Sequence, residues 1–190
     1  MKVITAAKLA VIIPVLINTG AQMFDKIVTR IEKVVMLTSY ITLILVVSLE
    51  TLRRMFTGQQ FGWGPDVAMY AFVWLAWFAM SANLRADNQL AMLTFREKFS
   101  SKVQKYLKMM DYIIWLIVGG VVIVTSYKVV QMDLRLGRTV FGTDIPLAAA
   151  SLAVPLGWAF SVIRILQQLY WLLSDSKPED LKTDNASEFG

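Results

Sequence analysis

The sequence predicts an all-α integral membrane protein, with four transmembrane helices, an N-terminal interfacial helix and a cytoplasmic amphipathic segment. Three observations predict it. The 190 residues are 56% hydrophobic and only 17% charged, whereas a soluble domain carries about 45–50% apolar and about 25% charged residues. Four long apolar runs, residues 34–49, 67–84, 112–127 and 145–163, contain no Asp, Glu, Lys or Arg. The basic residues gather between those runs, as they do beside membrane spans.

The residue types that are missing exclude whole classes of chemistry. The chain has no Cys and no His. That removes disulfides, thiolate metal sites, iron–sulfur ligands, covalent haem attachment, imidazole-ligated haem and the commonest zinc and copper sites. A cytochrome-like four-helix membrane enzyme is therefore excluded. No cofactor and no metal site is expected. A net charge of +5 points to the asymmetry of membrane loops, and no aromatic–basic interleaving of the kind that stacks bases is present, so nucleic acid is not an expected partner.

Residues 1–25 begin with Lys2 and Lys8 ahead of an apolar run interrupted by Pro14. The run is too short to cross a bilayer, and Thr19-Gly20-Ala21 is a poor cleavage site for a signal peptide. An interfacial helix on the cytoplasmic face is expected here.

A long helix is expected to start near Asp25 and to carry the first span, 34–49. Its apolar stretch is slightly short for the roughly 30 Å hydrocarbon layer. Lys33, Arg53 and Arg54 can snorkel to extend it. Glu50 is placed to pair with Arg53 or Arg54 at helical spacing. Thr57-Gly58-Gln59-Gln60 ends the helix.

The second span, 67–84, is the most aromatic stretch of the chain. It opens on Gly62-Trp63-Gly64-Pro65, with Pro65 suited to a first helical turn, and closes on Arg85. Ser81 and Asn83 are its polar residues. Trp74 and Trp77 lie too near its centre to be interface anchors, so they are expected to pack against protein, inside the chain or on a partner.

A polar turn, Ala86-Asp87-Asn88-Gln89, follows. Phe95, Phe99, Val103, Tyr106, Leu107 and Met110 then fall on one helical stripe, while Arg96, Lys98, Lys102, Lys105 and Lys108 take the rest of the surface. This is the expected cytoplasmic amphipathic segment, with Lys98, Lys102, Lys105 and Lys108 against anionic lipid head groups.

The third span, 112–127, has Gly119-Gly120 near its middle, which permits close helix approach. Lys128, Asp133, Arg135 and Arg138 continue it. In the fourth span, 145–163, Thr143 or Asp144 is expected to cap the helix, Pro146 to sit in its first turn and Pro155 to kink it near residues 151–155. Arg164 marks the lower edge. The tail, 174–190, is polar and is expected to lie in the cytoplasm, leaving 26–173 as the membrane domain.

Orientation follows from charge. With the N-terminus inside, the basic residues of the N-terminal part, of the central 85–108 segment and of the C-terminal tail all lie inside, and only Arg53, Arg54, Lys128, Arg135 and Arg138 lie outside. Both termini are therefore expected in the cytoplasm.

Uncharged spans argue against an ion or proton path. No internal repeat of the kind found in secondary transporters is present, so the chain is not expected to carry a solute alone. Ser39, Thr42, Ser81, Asn83, Thr125, Ser126 and Ser151 are read as interhelical hydrogen-bonding groups.

The order and texture of residues 33–170 resemble the small membrane subunit of TRAP (tripartite ATP-independent periplasmic) transporters, the DctQ-type or Q subunit. The resemblance rests on Arg53-Arg54-Met55-Phe56, Trp63-Gly64-Pro65-Asp66, Phe72-Val73-Trp74-Leu75, Ala82-Asn83-Leu84-Arg85 and Pro155-Leu156-Gly157-Trp158. The family often has acidic residues directly after that first Trp, where Pro65 intervenes here, and a His near the place of Gln89.

The resemblance implies a scaffold role beside a large membrane subunit that holds the sodium and substrate sites, together with a periplasmic substrate-binding protein. The transported solute would be an organic acid such as a C4-dicarboxylate or a sialic acid, and the place a bacterial inner membrane. Trp74, Trp77, Phe78, Phe99 and Trp158 are the expected partner-facing residues. Arg53, Arg54, Arg135 and Arg138 are expected to form the periplasmic docking surface. Two other classes compete. A stand-alone oligomeric channel would need pore-lining polar rings. A membrane enzyme would have to draw on Glu50, Asp66, Asp87, Asp133 and Asp144, which divide between two sides and have no His partner.

Overall fold

A computed structural model of the chain describes residues 2–86 and 99–174. These residues are almost wholly helical: α1 (Lys2–Thr57), α2 (Gly64–Ala86), α3 (Ser101–Arg135), α4 (Leu147–Ser151) and α5 (Ala153–Ser174). Among the described residues four segments are long and apolar enough to cross a membrane: Gln22–Thr57, Gly64–Arg85, Lys102–Arg135 and Leu147–Leu173. The expected all-α architecture with four membrane-crossing segments is present. Residues 87–98, with Phe95, Arg96 and Lys98 of the amphipathic stripe, and the tail from 175 lie outside the described residues.

The first helix does not start near Asp25. It runs unbroken from Lys2, and Asp25 lies inside it. A single Gly such as Gly20 costs a helix only about 1 kcal/mol, too little to break a long apolar rod. Gly58 ends the rod. It takes a left-handed φ of 68°, and its N–H donates to the Arg54 carbonyl at 3.0 Å, a helix stop that glycine adopts without steric cost.

Glu50 does not pair with Arg53 or Arg54. Its carboxylate accepts the Phe61 N–H at 3.0 and 3.2 Å, beside the N-terminus of α2, where the helix dipole favours negative charge. Arg53 instead stacks over the Phe61 ring, 3.8 Å from its centroid. The short turn between α1 and α2 is thus held by the last turns of α1.

At the far end of α3, Gly137 adopts φ 57° and the Arg138 N–H reaches back to the Asp133 carbonyl at 3.2 Å, closing a Schellman-type stop. The chain then turns tightly. Thr139 and Pro146 form an isolated antiparallel bridge, with the Val140 N–H on the Ile145 carbonyl at 2.8 Å. Pro146 stands at the N-cap of α4, and neither Thr143 nor Asp144 caps it. The Thr143 hydroxyl is engaged within the turn, donating to the Val140 carbonyl and accepting from the Ile145 N–H.

The fourth crossing is broken at Leu152, between α4 and α5. The cause is Pro155, which has no N–H to offer the carbonyl one turn back. The ladder resumes with the Leu156 N–H on the Leu152 carbonyl at 3.1 Å.

The helices form a row: α1 packs on α2, α2 on α5, and α5 on α3. Among the four crossings α5 is the most buried and α1 the least. Two glycines make the inner contacts possible. A Cβ on Gly157 would lie 2.5 Å from the Trp77 Cβ, and one on Gly119 would lie 3.0 Å from the Trp158 ring. Gly120 faces open space. Trp158 therefore sits between Trp77 and Trp115, with centroids 6.0 and 5.7 Å away. Below it Leu84, Tyr112 and Ile165 form a buried apolar layer that joins α2, α3 and α5.

Candidate functional site

Asp25, Thr29 and Glu32 follow at spacings of four and three on α1, so they share one face. That face meets Ser81 and Arg85 of α2 and Arg164 of α5. The six side chains close into one buried polar cluster between three helices.

Arg164 is its centre, with no exposed surface. Its Nε donates to Glu32 Oε1 at 3.0 Å and its Nη1 to Asp25 Oδ1 at 2.6 Å. Nη2 donates to Thr29 Oγ1 at 2.9 Å and also to Glu32 Oε2. Gln167, one turn along α5, accepts from Nη1 at 2.8 Å. Arg85 grips Asp25 from the other side with Nε and Nη2, the latter at 2.8 Å. The Ser81 hydroxyl donates to Glu32 Oε1 at 2.6 Å. Gln168 donates to the carbonyls of Leu84 and Arg85 at 3.0 and 2.6 Å, satisfying the C-terminal end of α2.

Two carboxylates and two guanidiniums cancel within the cluster. A buried charge is tolerated only when it is paired and hydrogen-bonded, and here the ionic groups meet in forked geometry. The arrangement is a structural clamp that ties α1 to α2 and α5. By sequence alone Arg164 marks a span edge, Asp25 a helix start, and Glu32 belongs to no motif. The 25–29–32 spacing was the available signal. Its partners lie 49 and more residues away, so only the fold pairs them.

The opposite end of the row carries the other polar groups. Phe141 packs against Gly62, and Gly142 lies against Trp63, so the turn before α2 and the turn after α3 meet. Asp133 is buried there. It accepts from Arg138 Nη1 at 3.4 Å and from the Ser151 hydroxyl.

The residues singled out from sequence distribute as follows. Phe78 and Trp158 are buried within the chain, at 2% and 4% exposure, because α2 and α5 approach closely there. Trp77 is half-buried beside Trp158. Trp74 stacks on Phe78 and donates through its indole Nε1 to the Ala149 carbonyl at 3.3 Å. Phe99 precedes α3 and is exposed. Lys102 and Lys105 are exposed on the first turns of α3, and Lys108 is half-buried. Arg54 and Arg135 are exposed, Arg53 and Arg138 are engaged as described, and all four lie at the end opposite the clamp.

The polar residues of the spans divide. Ser81 and Ser151 bond across helices. Thr125 and Ser126 instead close onto carbonyls of their own helix at 2.8 and 2.6 Å. Ser39 and Thr42 make no hydrogen bond among the described residues.

No curated protein matches this sequence. The protein family described as tripartite ATP-independent periplasmic transporters, DctQ component, matches residues 43–175. The match takes in the end of α1, all of α2, α3, α4 and α5, and therefore both arginines of the clamp. It covers more than half of the chain, and with four apolar helices it makes this a multi-pass membrane protein. The chain belongs to the DctQ family and is the small subunit of a TRAP transporter.

Proposed function

We propose that this chain is the scaffold subunit of a sodium-coupled, binding-protein-dependent importer of an organic acid such as a C4-dicarboxylate or a sialic acid. It packs against the large transport subunit and does not itself hold the substrate. One observation carries this reading. A carboxylate substrate needs a cation, and the guanidiniums buried in the bundle, Arg85 and Arg164, are already engaged by Asp25 and Glu32.

In the same reading the protein sits in a bacterial inner membrane with both termini in the cytoplasm. The Arg164 end then faces inward, since Lys102, Lys105 and Lys108 share that end. Those lysines and Lys98 meet anionic lipid head groups. Because α1 is unbroken, its N-terminal part extends beyond the Asp25 end of the bundle on the cytoplasmic side instead of forming a separate interfacial helix; residues 26–173 form the membrane domain and 174–190 a cytoplasmic tail. The end carrying Arg53, Arg54, Arg135 and Arg138 faces the periplasmic substrate-binding protein.

Reconstitution tests the central point. Proteoliposomes holding this chain alone should take up no organic acid under a sodium gradient, even with the binding protein present. Addition of the large subunit should restore uptake. Uptake by this chain alone would overturn the scaffold reading.

A further inference from the structure

A cleft of about 230 Å³ opens between α1, α2 and α4, lined by Thr38, Ser39 and Thr42 on one wall and by Tyr70 and Trp74 on the other. None of the four hydroxyls of Thr38, Ser39, Thr42 and Tyr70 makes a hydrogen bond among the described residues. Three other threonines of α1 are bonded: Thr29, Thr51 and Thr57 each donate to a carbonyl of α1 at 2.8 Å.

Depth decides what can satisfy them. Glu32 sits in the clamp at one end of the bundle, and Glu50 sits beside the α2 N-terminus at the other. Eighteen residues separate them, about 27 Å at about 1.5 Å per residue, close to the roughly 30 Å hydrocarbon layer. Thr38, Ser39 and Thr42 fall in the middle of that interval. Lipid offers only hydrocarbon at that depth, and an unbonded polar group there is costly. The acceptors must come from protein, either a carbonyl of the hydroxyl's own helix or a group on a helix packed beside it. The volume is also below the roughly 300–1,000 Å³ of small-molecule pockets, and it suits side chains from a crossing helix.

We propose that this cleft receives a membrane-spanning helix of the large subunit, which places a hydrogen-bonding side chain against the Thr38, Ser39 and Thr42 hydroxyls. The inference rests on the subunit reading above and adds the face through which the two subunits meet.

A photo-crosslinking residue at Thr42, in the chain co-expressed and purified with its large subunit, tests the site. Val121, exposed on α3, serves as the comparison position. The expected result is a product of combined mass from position 42, with little from position 121. Intact co-purification with crosslinks from position 121 but not 42 overturns the cleft and leaves the subunit reading standing. Crosslinks from position 42 only to lipid, or only to a second copy, also overturn it. Loss of co-purification in the unsubstituted pair removes both readings.

A second measurement removes the hydroxyls and keeps the shape. The variant Thr38→Val, Ser39→Ala, Thr42→Val should recover roughly fivefold less large subunit, the effect of about one interhelical hydrogen bond. Its own elution profile in detergent should be unchanged. Unchanged recovery of the large subunit from the triple variant overturns the proposal.

Discussion

Arg164 of α5 and Glu32 of α1 form a doubly hydrogen-bonded ion pair, and both are buried, although 132 positions separate them in sequence. The pair does what the apolar contacts of α1 do not. α1 is the least buried of the four crossings, and hydrocarbon side chains gain little by leaving lipid for protein. A charged pair at the membrane edge has no comparable alternative, because separating the two leaves each charge without its partner. The clamp therefore holds α1 in a defined place along the row.

Removing one member should be far worse than removing both. Arg164→Met leaves Asp25 and Glu32 with only Arg85 for compensation, and should destabilise the fold by about 3–5 kcal/mol. Glu32→Leu should cost a similar amount. The double variant Glu32→Leu, Arg164→Met should recover part of the loss. Thermal unfolding in detergent measures this, and additive losses would show that the two residues act independently.

Helix contact at Gly157 gives the second prediction. Its missing Cβ is the space that Trp77 fills. Gly157→Ala should separate α2 from α5 and lower stability by about 1–3 kcal/mol, the usual cost of overpacking. Gly120→Ala meets nothing within 4 Å and should leave Tm unchanged or slightly raised, since Ala is the better helix former. Equal effects of the two substitutions would contradict the packing described.

Topology can be read with single cysteines, because the chain has none of its own. Cysteine at Gln60 or Arg138 should react with an impermeant thiol reagent in intact cells. Cysteine at Lys102 or Ser187 should react only after the cells are opened. The reverse pattern would invert the proposed orientation.

The meeting of the two outer turns gives the last prediction. Arg135 is exposed there, whereas Arg138 leans on Asp133. Arg135→Glu and Arg138→Gln, the latter placing no second carboxylate beside Asp133, should each lower binding-protein-dependent uptake several-fold while the membrane complex still purifies intact. Electrostatic docking of this kind weakens with salt, so the loss should shrink as ionic strength rises. Normal uptake by both variants would remove these arginines from the docking surface.

Much of the architecture was legible in the residues themselves. The four spans, the glycine stop at Gly58 and the break before Pro155 each depend on local chemistry: hydropathy over a helix length, a positive φ, a missing N–H. The uncharged span interiors were legible for the same reason, and so was the family.

The clamp was not legible. Asp25 and Glu32 sit among Lys26, Arg30 and Lys33 and read locally as part of a solvated basic helix face. Their burial depends on which way α1 rotates against α2 and α5. Glu50 went the same way: helical spacing offered it Arg53 and Arg54, and the turn at Phe61 took it instead. By sequence Trp74 and Trp77 suit a partner or the interior and Trp158 a partner; the close approach at Gly157 brings α2 and α5 together and buries Trp158 inside the chain. Sequence by itself determined where the helices run and what each face is made of. Tertiary structure decided which polar groups meet, because a charge chooses its partner by distance and desolvation, and both are properties of the packed bundle.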